Sequence, residues 1–80
     1  MLDKIVEEKV IGVKQCRKFI KLGKGKVLYV AKDADARLIS PLIELAEEMN
    51  VKIVEISTMN ELGSMSGIDV KSAATLVIEK

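Results

Sequence analysis

Eighty residues, 49 % apolar and 31 % charged, suit one compact domain spanning 1–80 and are too few for two, and that apolar content excludes a disordered tail. The longest unbroken apolar run, Val27 to Ala31, is far short of the ~18 residues of a membrane span, and the opening stretch MLDKIVEEKV has no secretory apolar core, so a soluble cytoplasmic protein is expected. The net charge of +1 hides an asymmetry: residues 1–26 hold eight basic and three acidic residues, net +5, while residues 27–80 hold five basic and nine acidic residues, net −4.

Leu2, Ile5 and Val6, with the stem of Lys9, fall at helical spacing and predict a short first helix over 2–9, leaving Lys9–Ile11 as at most a stub of strand. Gly12 opens a helix whose apolar positions Val13, Cys16, Phe19 and Ile20 run to Gly23, a residue suited to the left-handed position after a helix end. Lys26 to Ala31 is near-continuously apolar with β-branched members, as in a strand covered on both faces. Leu38, Ile39, Leu42, Ile43, Leu45, Ala46 and Met49 predict a helix over about 36–49, with Asp33 and Asp35 offering caps and Asn50 ending it. Pro41 removes a backbone donor inside that pattern, which predicts a kink or an irregular first turn, with Ser40 capping a restart. Val51–Ile56 reads as the next strand. Thr58-Met59-Asn60-Glu61 matches a capping box, Met59, Leu62 and Met65 give a short helix up to Gly67, and Ala73–Ile78 is the last strand. Alternation of helices and strands predicts an α/β chain: a three-layer α/β/α sandwich around a small mixed sheet of about four strands.

Absences narrow the chemistry. With no His and one Cys, disulfides, a structural zinc site and His-based catalysis are excluded, and no cofactor or metal is expected. Cys16, beside Phe19 and Ile20, reads as a small core residue rather than a nucleophile. Two aromatics, Phe19 and Tyr29, cannot form a multi-base stacking platform. At about 100° per residue, Lys14, Arg17, Lys18 and Lys21 share one arc of the second predicted helix, opposite its apolar arc. That arc is either a solvated face or a phosphate-binding one. No acidic residue occurs from Lys9 to Lys32, and uncompensated cations on a rigid element favour the second reading. Gly23-Lys24-Gly25-Lys26 follows a helix and precedes a strand, the reverse of a P-loop, and reads as a plain turn. Asp33 and Asp35 lie at the carboxyl end of a strand with no third ligand evident, which favours caps over a metal site. Ile68 and Val70, in a glycine-flanked segment after a helix, either plug the core or rest against an exposed nucleobase.

Four stretches in order carry a family likeness: Gly12-Val13-Lys14-Gln15-Cys16-Arg17-Lys18, Val30-Ala31-Lys32-Asp33-Ala34-Asp35, Glu61-Leu62-Gly63, and Gly67-Ile68-Asp69-Val70. Together they resemble the kink-turn-binding ribosomal proteins, the superfamily of the archaeal seven-Ae and eukaryotic thirty-e proteins, and within it the short bacterial YbxF-like branch. The resemblance implies a noncatalytic, ribosome- or translation-associated RNA-binding protein whose partner is structured RNA, a kink-turn in ribosomal RNA or a riboswitch, with no DNA and no membrane. It implies an interface of Gly12, Lys14, Gln15, Lys18, Ile68, Asp69 and Val70, to which the uncompensated cations add Arg17, Lys21 and Lys32 as phosphate contacts. Lys14, Gln15 and Lys18 would enter the major-groove side of tandem sheared G·A pairs, and Ile68-Asp69-Val70 would rest against bases of the three-nucleotide bulge. Archaeal members carry Asn-Glu where this chain has Lys14-Gln15, so a neutral acceptor replaces a charged one, and Asn60 stands where relatives often place Lys. Two readings compete with this one: a protein-interaction or scaffold subunit of the same fold with weak or no RNA binding, and, remotely, a small-molecule activity using Asp33 or Asp35.

Overall fold

The computed structural model describes residues 5–79. Its elements are β1 (Lys9–Ile11), α1 (Val13–Lys21), β2 (Gly25–Ala31), α2 (Ala36–Glu48), β3 (Lys52–Ile56), α3 (Met59–Met65) and β4 (Ala74–Ile78). The strands form one sheet in the order β1-β4-β2-β3, with β2 parallel to β3 and β4 antiparallel to both of its neighbours. It follows that β1, β2 and β3 all point the same way. Their carboxyl ends, and the helices that follow them, share one edge of the sheet, where β4 begins.

Apolar alternation along β2 builds the layers. Leu28 and Val30 face α1 and α2 in a cluster with Cys16, Ile20, Leu42, Ala46 and Leu76. Val27, Tyr29 and Ala31 face the other way, toward Leu62 and Met65 of α3, with Ile5, Ile56 and Val77. The result is the expected α/β/α sandwich around a mixed four-stranded sheet, two helices on one face and one on the other. No helix among the described residues is long and apolar enough to cross a membrane.

All three helices end the same way. The amides of Gly23 and Lys24 donate to Ile20 O and Phe19 O, those of Asn50 and Val51 to Glu47 O and Ala46 O, and those of Gly67 and Ile68 to Ser64 O and Gly63 O. This is the paired carbonyl capping of the Schellman motif, in which the residue after the C-cap takes the left-handed conformation. Gly23, Asn50 and Gly67 adopt it, at φ 76°, 58° and 79°. Gly23-Lys24-Gly25 is therefore the turn that closes α1.

Two expectations fail. The predicted helix over 2–9 falls partly on residues outside those described, and residues 5–8 are not helical while Lys9 begins β1. Non-local partners take the backbone groups that a helix would use: Ile5 N–H donates to Met65 O at 2.7 Å, and Ile78 N–H to Glu8 O at 3.0 Å. Ile5 is buried beneath α3, whereas Val6 is 87 % exposed, so the helical spacing of these residues marks no common face. Nor does the chain restart at Ser40, since α2 runs unbroken through Pro41 from its cap at Asp35. Pro41 removes one ladder bond, and the buried face of Ile39, Leu42 and Ala46 holds the helix across it.

Candidate functional site

The shared edge of the sheet gathers four segments: the start of α1, residues 32–35 after β2, the start of α3, and the 66–73 connection into β4. Hydrogen bonds knit them together. Gly12 N–H donates to Ala74 O (2.9 Å), Ala31 N–H to Ala73 O (3.0 Å), Lys32 N–H to Ile56 O (2.8 Å) and Ser72 N–H to Met59 O (3.1 Å).

Helix starts at this edge differ in one respect. Asp35 accepts from Arg37 N–H in α2, and Thr58 from Glu61 N–H in α3, the half of the predicted capping box that Thr58 supplies. Asp33 reaches across to accept Met59 N–H at 2.8 Å, so it caps α3 from the neighbouring segment. Both aspartates therefore act as caps, and Arg37 beside Asp35 holds that carboxyl below its ordinary range. The start of α1 has no side-chain cap and no acid in its first turn. Gly12 there sits at φ 103°, which a side chain would strain, and leaves the first amides of α1 open. Open amides and the positive end of the helix dipole lie here, and Lys14, Gln15 and Lys18 are exposed along the first two turns.

The cationic arc divides. Arg17 and Lys21 line a groove of about 320 Å³ between α1 and α2, together with Val13, Leu38, Pro41 and Leu45. Lys14 and Lys18 are exposed and do not line it, and Gln15 lies further round the helical wheel. Lys18 Nζ rests 5.8 Å from the centroid of the Phe19 ring. Lys32 is exposed at the end of β2. None of these cations is in an ion pair; among the described residues the ion pair is Arg37 with Asp35.

At the same edge lies the loop after α3. A surface concavity of about 300 Å³ is formed by Asn60, Ser64, Gly67, Ile68, Asp69 and Val70. Val70 is 69 % exposed and does not plug the core, while Ile68 is half-buried. Gly63, marked in the sequence only as part of Glu61-Leu62-Gly63, lets α3 touch the backbone of Val70 through its missing side chain, and spacing gave no sign of the buried hydroxyls of Ser66, Ser72 and Thr75. Thr75, a hydroxyl in the apolar run Ala74–Ile78, was the one available signal, since a buried polar group demands a partner.

Residues 4–80 match the family described as ribosomal protein L7Ae/L30e/S12e/Gadd45. The chain belongs to this L7Ae family. It is 41 % identical over 73 residues to an RNA-binding protein of Caldanaerobacter subterraneus subsp. tengcongensis, covering 91 % of this chain and 89 % of that one. It is 35 % identical over 69 residues to the RNA-binding protein YbxF of Geobacillus stearothermophilus, covering 86 % and 84 %. In fold it matches the Giardia lamblia 15.5kD RNA binding protein with a TM-score of 0.83 at 23 % identity, over 90 % of this chain and 61 % of that one. The short bacterial members and the α/β/α sandwich are those the sequence resembled.

Cys16 takes no part in the surface of this L7Ae-family chain. It is fully buried, and burial pushes its thiol up to about 12. At pH 8 a thiol reagent is expected to leave the native protein unmodified and to titrate one thiol once it is denatured, as read by the absorbance of the released chromophore.

Proposed function

We propose that the protein is a noncatalytic RNA-binding module that recognises kink-turn or kink-turn-like RNA in ribosomal or other translation-related transcripts of the cytoplasm. The observation that carries this reading is the meeting, at one sheet edge, of the uncapped start of α1 with the exposed loop 68–70. The first offers amides, Lys14, Gln15 and Lys18 to base edges and phosphate. The second offers an apolar rim, Ile68 and Val70, for unstacked bases. A sheared G·A pair leaves much of the Watson–Crick edge of guanine free, so the Gln15 carbonyl accepts from guanine N–H groups while Lys18 donates to O6 or N7. An ordinary A-form major groove is too narrow for side chains, and the kink supplies the access.

Gel-shift titration of a kink-turn RNA beside a control with disrupted G·A pairs tests the proposal. Preference for the kink-turn supports it, and equal, weak binding of both returns the scaffold reading. The contributions of charge and contact are separable. With about three to five cations meeting phosphates, log K falls with log salt at a slope of roughly −2 to −5, shallow because so few phosphates are neutralised. Arg17→Ala and Lys21→Ala each lower that slope by up to about one unit if the side chain neutralises a phosphate, and an unchanged slope returns them to a solvated groove. Because Val70 is exposed, Val70→Ala moves folding stability by no more than about 0.5 kcal/mol and weakens RNA binding by about 1 kcal/mol. A drop in melting temperature with unchanged affinity is the result against it.

A further inference from the structure

The buried polar side chains of the described residues are Ser66, Ser72 and Thr75, at 4, 3 and 0 % exposure, and they touch one another. Ser66 Oγ lies 2.7 Å from both Leu62 O and Thr75 Oγ1, and Ser72 Oγ lies 2.9 Å from Ala74 O and 3.0 Å from Thr75 Oγ1. Four close contacts thus share three hydroxyl protons, which fixes their direction. Two oxygens at 2.7 Å repel unless a proton lies between them. Leu62 O can only accept, so Ser66 donates to it. The other 2.7 Å contact must then take the proton of Thr75, and Ser72 divides its own between Thr75 Oγ1 and Ala74 O. The hydroxyls form a one-way chain, Ser72 to Thr75 to Ser66 to Leu62 O, in which each bond polarises the next.

The chain joins particular places. Ser66 and Ser72 bracket residues 67–71, the loop that presents Ile68, Asp69 and Val70. Thr75 belongs to β4, and Ala74 O, which Ser72 reaches, also accepts the amide of Gly12 at the start of α1. We infer that Thr75 is a positioning residue of the RNA surface: its hydroxyl closes a buried chain that fastens both ends of the 67–71 loop and, through Ala74, sets that loop against the start of α1. The inference rests on the RNA-binding reading above. Thr75 is wholly buried, so it acts through the loop and touches no ligand. A pre-set loop binds without first losing its own conformational freedom, which is where the hydroxyl acts on affinity.

Thr75→Val keeps the shape and deletes the hydroxyl, leaving Ser66 without a donor and Ser72 without its second acceptor. Two readouts follow it: amide hydrogen exchange of the free protein, and titration of the folded fraction with the kink-turn RNA and its G·A-disrupted control. Exchange at Gly67 and Ile68 is expected to rise about ten-fold relative to the β2 amides, with affinity for the kink-turn about ten-fold weaker. Thr75→Ser restores both. Ser72→Ala, which leaves the Thr75–Ser66 bond, gives a smaller change of the same sign and serves if the valine variant does not fold. Ile39→Val, a core truncation on α2 away from the loop, lowers stability without either change. The inference is overturned if loop exchange in Thr75→Val rises only in step with β2, or if the affinity of the folded fraction stays at the wild-type value. Should wild-type protein bind both RNAs alike, the functional reading fails by itself, and the exchange measurement still decides whether the hydroxyls fasten the loop.

Discussion

Lys18→Ala is expected to weaken binding of a kink-turn RNA by about 1–3 kcal/mol, roughly five- to 150-fold, while barely touching the fold. Lys18 is exposed, forms no ion pair, and is held only by a contact with the Phe19 ring at 5.8 Å, worth about 0.5 kcal/mol at such a site. Alanine is at least as good a helix former, so stability stays within about 0.5 kcal/mol of wild type. One helical turn beyond Lys14, on the side away from the α1/α2 groove, Lys18 can reach a base edge as well as phosphate. Lys21→Ala is the internal control. It removes the same charge from the same helix, but from a groove-lining position about 13.5 Å along the axis from Gly12. A loss that is larger for Lys18 than for Lys21, and larger on kink-turn than on plain duplex RNA, marks a base contact. Equal small losses on both RNAs would make Lys18 one phosphate contact among several.

The parts of this molecule that were legible in the sequence are those governed by neighbours along the chain. Gly23, Asn50 and Gly67 end helices because the left-handed position suits those residue types, and Asp35 and Thr58 cap the residues just after them. The apolar arcs of α1 and α2 and the two-sided apolar run of β2 led directly to the layered fold. What misled was decided at a distance. Ile5 and Val6 have helical spacing, yet the partner of the Ile5 amide, Met65 O, lies sixty positions away on α3. In the candidate site, the wheel placed four cations on one arc. Only the packing of α2 against α1 sends Arg17 and Lys21 into a groove and leaves Lys14 and Lys18 outside it. Asp33 was legible as a cap, but not that it caps α3, because its partner Met59 lies across the β2–β3 pairing. Ser66 and Ser72 look like ordinary loop residues until Thr75 comes to lie between them.

Gly63→Ala sets two effects of opposite sign against each other, and the larger one is expected to displace the loop. Gly63 lies inside α3 and has no positive φ, so on propensity alone alanine should stabilise the helix by about 1 kcal/mol. Space decides otherwise. A Cβ at this position would overlap Val70 O and come within 3.1 Å of Val70 C and 3.3 Å of Lys71 Cα. These are backbone atoms, which cannot swing aside as a side-chain tip does, and overpacking of this kind costs about 1–3 kcal/mol. The loop is also fastened on both sides, by Ile68 N–H to Gly63 O and by Ser72 N–H to Met59 O, so relief means breaking one of these bonds. The net expectation is a lower melting temperature and, because residues 68–70 must move off α3, a loss of kink-turn affinity of ten-fold or more in the protein that remains folded. Thermal denaturation and RNA titration of the same variant separate the two effects. A raised melting temperature with affinity intact would mean that propensity wins, that the 68–71 backbone yields freely, and that its position against α3 is not what shapes the binding surface.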